Sequence, residues 1–303
     1  LGGDCHPATP IGINLPNAEW IRERYGSKSV TLDNITYAYN QASLNSGVLD
    51  EFAYSDEEKE LVRTYGYVGG NVHTDLHECL GHGSGKMLPG VGQEALKNYY
   101  STIEEARADL FALYYVMDPK LVELGVIPSL DVAKSEYCNY IRNGLMVQLT
   151  RVKWGNNLEE SHMRNRQLIA SWVYEKGKET NVIERVNREG KTYFTIRDYE
   201  ALRMLFGRLL AEVQRVKSEG AFEGARNLIE NYGVRVDPVL HQEVLKRYQK
   251  LNVAPYAGFV NPKYRLVEKE GSVVDVEIEY PTDFLAQMLE YGNNNEPDSP
   301  LLE

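Results

Sequence analysis

Cysteine is scarce: the 303 residues include only Cys5, Cys79 and Cys138, too few and too scattered for a disulfide framework. No run of about eighteen or more apolar residues occurs, which excludes a transmembrane helix. Basic blocks are missing as well. Lys and Arg number 33 against 44 Asp and Glu, a formal charge of −11, which argues against a nucleic-acid or anionic-membrane surface. There is no internal repeat and no low-complexity tract. The chain opens Leu-Gly-Gly-Asp, with neither an initiator Met nor a signal-peptide pattern, and is expected to be a piece of something longer. The low cysteine count fits a cytoplasmic home. With 43% apolar and 25% charged residues, the composition is that of a globular protein able to bury a sizeable core.

What is present is mostly helical periodicity. From Asp198 to Glu219 the residues Leu202, Leu205, Phe206, Leu209, Leu210, Val213 and Val216 recur at three- and four-residue steps. Arg203, Arg208, Glu212, Gln214 and Lys217 fill the opposite face, and Gly220 stops the helix. Similar patterns predict helices over 31–45, 56–67, 91–117, 130–153, 159–176, 220–231 and 238–250, with Ser129 as the N-cap of the fourth of these. Strand signals are confined to two hairpins, one over 185–196 about Arg-Glu-Gly-Lys and one pairing 264–267 with 273–278. The expected fold is mainly α, with small β-hairpin appendages. Residues 1–20 read as an extended lead-in, 21–292 as a helical lobe and 293–303 as a flexible tail.

One stretch carries chemistry: His77-Glu-Cys-Leu-Gly-His82. It is the zinc-peptidase pattern His-Glu-x-x-His with one residue inserted. Histidines four apart lie about 40° from each other around a helix and can share a metal, with the intervening Glu as general base. Five apart they diverge by about 140° on a regular helix. The insertion therefore requires a local bulge, and π-type bulges are frequent at functional sites. Gly81, at the inserted place, tolerates such a backbone at least steric cost.

A third ligand is still needed. Downstream, Thr102-Ile-Glu-Glu-Ala-Arg-Ala-Asp109 lies in a strongly helical stretch. Glu105 and Asp109, four apart, share a face; one can bind the metal while the other accepts a hydrogen bond from an imidazole. Glu104 is a second candidate for that supporting role, and by itself the Glu104-Glu105 pair could be a solvated acidic face. His73, His6 and His241 are given no role. Cys79 could be a redox-sensitive thiol but reads better as a small semi-buried side chain. Gly81-His-Gly-Ser-Gly-Lys86 fails as a phosphate loop, because Leu80 occupies the first glycine place and Met87 follows the Lys. The Asn34-Ile-Thr36 sequon carries no weight without signs of secretion.

The two motifs together resemble those of the dipeptidyl peptidase III family of zinc metallopeptidases, here a bacterial-type member. Gly12-Ile-Asn-Leu-Pro-Asn17 and Ser161-His-Met-Arg-Asn-Arg166 are similar to two further family segments. The resemblance implies one zinc per chain held by His77, His82 and Glu105, with Glu78 as general base to a zinc-activated water. Glu104 and Asp109 would then support the imidazoles, and His162 would steady the reacting carbonyl. Asn14, Asn17 and Arg166 would bind substrate, although Asn14 and Asn17 could also simply shape a turn around Pro16. Two residues depart from the pattern: Cys79 stands where many relatives carry an aliphatic residue, and Asp109 where some carry Glu. Family members also have a β-rich, mainly N-terminal lobe that is not in this sequence, so the chain resembles the zinc lobe alone and the piece is expected to have reduced activity. The implied function is removal of dipeptides from the N-termini of short peptides, without nucleic-acid partners. A zinc endopeptidase or other zinc hydrolase, and a non-catalytic metal-stabilised binding module, are the alternatives.

Overall fold

The computed structural model describes residues 11–16, 19–253 and 262–293. Asn17, the lead-in up to residue 10 and the tail from residue 294 lie outside the described residues. Contacts divide the chain into two units, Pro10–Val253, and Leu1–Thr9 with Ala254–Glu303.

The larger unit begins with two short strands, β1 (Gly12–Leu15) and β2 (Lys28–Thr31), antiparallel with Asn14 opposite Ser29, and joined by helix α1 (Glu19–Tyr25). Helices α2 (Asp33–Asn45), α3 (Val48–Phe52) and α4 (Asp56–Leu76) follow. Ser55 caps α4 by accepting a hydrogen bond from Glu58 N, and Asp56, Glu57 and Glu58 favour its positive N-terminal end. At Leu76 the helix does not stop. It widens into a π-helical segment, His77–His82.

A 3-10 segment, Gln93–Tyr99, leads into α5 (Tyr100–Val116). The break between them is at Lys97, which holds φ 50; the single helix expected over 91–117 is therefore two elements. Helix α5 is the axis of the unit. It is buried on nearly every side, from Thr102 to Val116, because α4, α7 (Asp131–Leu145), α8 (Ser161–Lys176) and α9 (Tyr199–Glu219) all pack against it. Short α6 (Pro119–Glu123) turns the chain towards α7, and α7 gives way at Met146 to a 3-10 segment, Val147–Arg151. The N-cap of α7 is Leu130, not the expected Ser129, because the helix starts one residue later; Ser129 Oγ still accepts from Asp131 N at 3.2 Å.

In α9 the expected apolar stripe is buried except for Leu210, which is half-buried, and each fully buried Leu or Val contributes about 1.5–3 kcal/mol. Asp198 caps its start and Gly220, at φ 62, ends it. The stripe's other face holds an exception: Lys217, expected in solvent, is only 1% exposed. The hairpin of β3 (Ile183–Arg188) and β4 (Lys191–Ile196) turns through Glu189 and Gly190, both with positive φ, as a two-residue hairpin turn demands. Helix α10 (Phe222–Leu228) runs into a second π segment, Ile229–Gly233, and α11 (Pro238–Gln249) starts from an Asp237 cap with Pro238 in its first turn.

The other unit contains a hairpin of β5 (Lys263–Lys269) and β6 (Ser272–Glu279), followed by α12 (Phe284–Asn293). The fold is mainly α with small antiparallel strand pairs, as the sequence indicates. Among the described residues no helix is long and apolar enough to cross a membrane.

Candidate metal centre

The bulge that the inserted residue requires is the π segment itself, and it brings the two imidazoles together. Their ring centroids are 4.7 Å apart with the planes 84° from parallel. Gly81 has a different purpose from the one expected. Its φ is not positive; instead, a Cβ there would sit 2.7 Å from both Cα and Cβ of Ala108. The segment can lie against α5 only without a side chain at that place. Gly69, one helical stretch earlier, likewise lets α4 approach α7, since its Cβ would be 3.2 Å from Val132 O.

That approach aligns the second motif on α5 with the first. His77 Nε2 and His82 Nε2 stand 3.4 Å and 3.6 Å from Glu105 Oε2. Donors about 2.1 Å from a tetrahedral zinc are roughly 3.4 Å from one another. Glu105 Oε2 is buried and accepts no hydrogen bond, which is costly unless something else meets it. Meanwhile both outer nitrogens are engaged: His77 Nδ1 lies 2.7 Å from Asp109 Oδ1, and His82 Nδ1 lies 3.0 Å from Glu104 Oε1. With Nδ1 of each ring given to a carboxylate, it is Nε2 that faces Glu105, and its lone pair would be free for a metal once the metal displaces the Nε2 proton. The three donor atoms lie within 4.8 Å of one another. His77, His82 and Glu105 fit a metal.

Further residues hold this arrangement. Glu104 takes both Arg107 Nε (3.0 Å) and Nη2 (2.8 Å), and Lys217 Nζ stands 3.0 Å from its Oε2. Arg107 also donates to Gly81 O at 2.6 Å, tying α5 to the π segment. Asp109 accepts from Tyr140 at 2.7 Å and from Asn165 at 3.2 Å, and its Oδ1 lies 3.2 Å from His73 Nε2. His73, Arg107, Lys217, Tyr140 and Asn165 had no assigned role in the sequence. Arg107 alone had a signal, three residues after Glu104 on one helix face. A second trio, His73, His77 and Asp109, also clusters, but its shared atoms are spent on these hydrogen bonds.

The charges follow. Burial would raise the carboxyl of Glu105, yet the imidazoles of His77 and His82 bring it down to about 2. Burial would lower His77, but its bond to Asp109 and the nearby Glu105 lift it to about 10. His82 is raised in the same way by Glu104 and Glu105, and His73 reaches about 9, Glu136 and Asp109 outweighing burial. Against burial, Glu104 is held well below the usual range by His82, Arg107 and Lys217, and Asp109 by His73 and His77.

Glu78 is buried beside Gly12 of β1, where a Cβ would meet Glu78 Oε1 at 2.9 Å. It lines a 530 Å³ cavity together with His77, His82, Glu105, His162 and Asn14. His162, in the first turn of α8, is more than half exposed, with Nδ1 3.4 Å from Glu105 Oε2. Asn14 Nδ2 is a clip, donating to Glu78 O (3.1 Å) and Ser29 Oγ (2.8 Å), whereas its Oδ1 is buried without a partner. Arg166, one turn beyond His162, bonds Gln148 at 3.4 Å and does not line this cavity. Cys79 is exposed, not semi-buried, and it too is absent from the lining. His241 is a satisfied core histidine on Val152 O.

The sequence matches the model of peptidase family M49 over residues 5–99 and 91–279. The chain belongs to that family. Among its M49 relatives, dipeptidyl peptidase 3 of Mus musculus is 28% identical over 87% of this chain and that of Homo sapiens 27% over the same share. The solved structure of DPP III from Caldithrix abyssi superposes with a TM-score of 0.62 at 27% identity, over 80% of this chain. The chain spans 42% of the length of the two curated relatives and 43% of the solved one.

Proposed function

We propose that the chain is the metal-bearing lobe of a zinc-dependent dipeptidyl peptidase, releasing N-terminal dipeptides from short peptides. The observation that carries the reading is Glu105 Oε2, buried, unpartnered and spaced from two oriented imidazoles as zinc donors are. Similarity to dipeptidyl peptidases supplies the specificity. His77, His82 and Glu105 would hold the ion, one per chain. When bound, zinc supplies Lewis acidity, which polarises a peptide carbonyl and acidifies water.

The remaining steps belong to the chain's own side chains. Glu78 takes up the proton of the attacking water at a carboxylate oxygen and passes it to the leaving amine nitrogen. His162 donates a hydrogen bond as charge builds on the carbonyl oxygen; such a donor is typically worth about 100- to 1000-fold in turnover. Asn14, which lines the cavity beside Glu78, holds the substrate's ammonium together with Asn17, and Arg166 contributes to substrate binding further along α8. Two extended residues then reach about 7 Å to the reacting bond, so the site measures length from the amine. The remainder of the active site comes from a β-rich lobe of the same protein, and the piece alone is less active. The low cysteine count supports a cytoplasmic location.

The test compares a peptide with its N-acetylated form on the zinc-loaded full-length protein. Dipeptide release from the free peptide alone is expected. Equal cleavage of both would point to an endopeptidase, and cleavage of neither to a binding module.

A further inference from the structure

The proposed chemistry gives no task to His73, yet its side chain is only 12% exposed and both ring nitrogens face carboxylates. Nε2 lies 3.2 Å from Asp109 Oδ1, the same oxygen that His77 Nδ1 meets at 2.7 Å. Nδ1 lies 3.0 Å from Glu136 Oε1, an ion-pair separation without hydrogen-bond alignment. The ring stacks on Tyr140 with centroids 5.7 Å apart, and Tyr140 is itself a donor to Asp109 Oδ2. An apolar side chain could fill that space without bringing polar atoms that need partners.

The backbone explains why these groups meet. His73 and His77 are four apart at the point where α4 widens, and His77 N donates to both His73 O and Thr74 O. Residues four apart face the same side. The two rings, 6.3 Å apart by centroid and 27° from parallel, can therefore share one oxygen of Asp109. Gly69, one turn before His73, lets α4 approach α7, since a Cβ there would stand 3.4 Å from Glu136 Cβ. That approach sets Glu136 and Tyr140 of α7 beside His73.

The two imidazoles of the metal site then have matching supports. Behind His82, Glu104 is held by Arg107 and Lys217. Behind His77, Asp109 carries two donors on each oxygen, His77 and His73 on Oδ1, Tyr140 and Asn165 on Oδ2. Four fixed donors leave that carboxylate no freedom to rotate. Without His73, Oδ1 is held from the His77 side alone.

We propose that His73 is a positioning residue for the metal: donating from Nε2, it holds Asp109 Oδ1, and through it the His77 ring, in the orientation a metal needs. The inference rests on His77 being a metal ligand, as read above. A His73 that only filled the core would matter for stability and leave metal affinity alone.

The test measures zinc affinity by equilibrium dialysis, and urea unfolding of the metal-free form, on the full-length protein. His73→Leu and His73→Gln both remove the ring from Glu136, so both should unfold at lower urea. Zinc affinity should part them. A loss of about tenfold is expected for His73→Leu, whereas His73→Gln, whose amide nitrogen can donate from the place of Nε2, should stay within about threefold of wild type. Equal affinity in wild type and His73→Leu, or equal losses in the two variants, overturns the inference. Should His73→Leu fail to fold, His73→Leu combined with Glu136→Leu removes the ring together with the carboxylate it would orphan. The same tenfold loss is expected there, and unchanged affinity overturns the inference. Failure of the wild type to take up zinc overturns the metal reading as well, whereas wild-type uptake that His73→Leu leaves unchanged overturns this inference alone.

Discussion

Two clusters of buried charge in the larger unit differ in one respect. Around Arg247, on α11, every polar atom has a use: the guanidinium reaches Glu51 Oε1 (2.8 Å), Glu243 Oε1 (2.9 Å) and Thr192 O (2.6 Å). Lys191 takes Glu51 Oε2, and Thr192 takes both oxygens of Glu243. Around α5 the same economy holds for Glu104 and Asp109, but Glu105 Oε2 is left over. A closed network joins α3, β4 and α11 and needs nothing more. An open one keeps an acceptor waiting between two fixed imidazoles. What marks the α5 cluster is a buried carboxylate oxygen with no hydrogen-bond partner, whereas the more exposed carboxylates around Arg247 are all paired.

Several substitutions would break or sharpen that contrast. The largest effect is expected from Glu78→Gln, which should keep its zinc and lose about 100- to 10,000-fold in turnover; equilibrium dialysis and dipeptide-release kinetics on one preparation check both halves. Next is Arg247→Met, which leaves Glu51 and Glu243 without their cation and should cost about 3–5 kcal/mol in urea unfolding, with zinc affinity unmoved. A shift in zinc affinity of more than twofold would deny that the clusters are separate. Asp109→Asn or Lys217→Met should instead weaken zinc about 10- to 100-fold, the usual penalty when a ligand's supporting partner is lost.

The pH dependence has opposite signs with and without metal. In the metal-free protein Glu105 sits at about 2, so its stabilisation is present above about pH 4.3 and is lost as pH falls towards 2. His77 sits at about 10, so its stabilisation is present below about pH 6.5 and is lost as pH rises through 10. Zinc competes with those imidazole protons, so the increase in Tm on adding zinc should be larger at pH 8 than at pH 5.5, by calorimetry. The smallest effect concerns thiols: exposed Cys79 should alkylate readily, whereas Cys138, buried and pushed up to about 12, should not react in the folded state.

How much of this the sequence disclosed depends on the range of the interaction. The π segment is legible because an inserted residue between two histidines leaves no other way to converge, and the hairpin over 185–196 because Glu189-Gly190 suits a turn with two positive φ values, although its first strand starts two residues earlier, at Ile183. The apolar pattern predicts α4 only over 56–67, and Gly66, Gly69 and Gly70 weaken a helix beyond it, whereas Gly69 serves a helix contact that no local pattern reveals. Strands β1 and β2 have four residues each and are separated by a helix, so no turn signal links them. Helix α12, close to the tail, is likewise absent from the sequence expectation. Lys217 is the hardest case: on the polar side of its own helix, it is buried with its ammonium against Glu104, over a hundred residues earlier.

The central claim is that His77, His82 and Glu105 together form a metal position. A crystal grown with zinc, measured on both sides of the zinc absorption edge, tests it directly. One anomalous peak is expected, about 2.0–2.2 Å from Nε2 of His77, Nε2 of His82 and an oxygen of Glu105. A peak at His73 and Asp109 instead, or none at stoichiometric zinc, would contradict it.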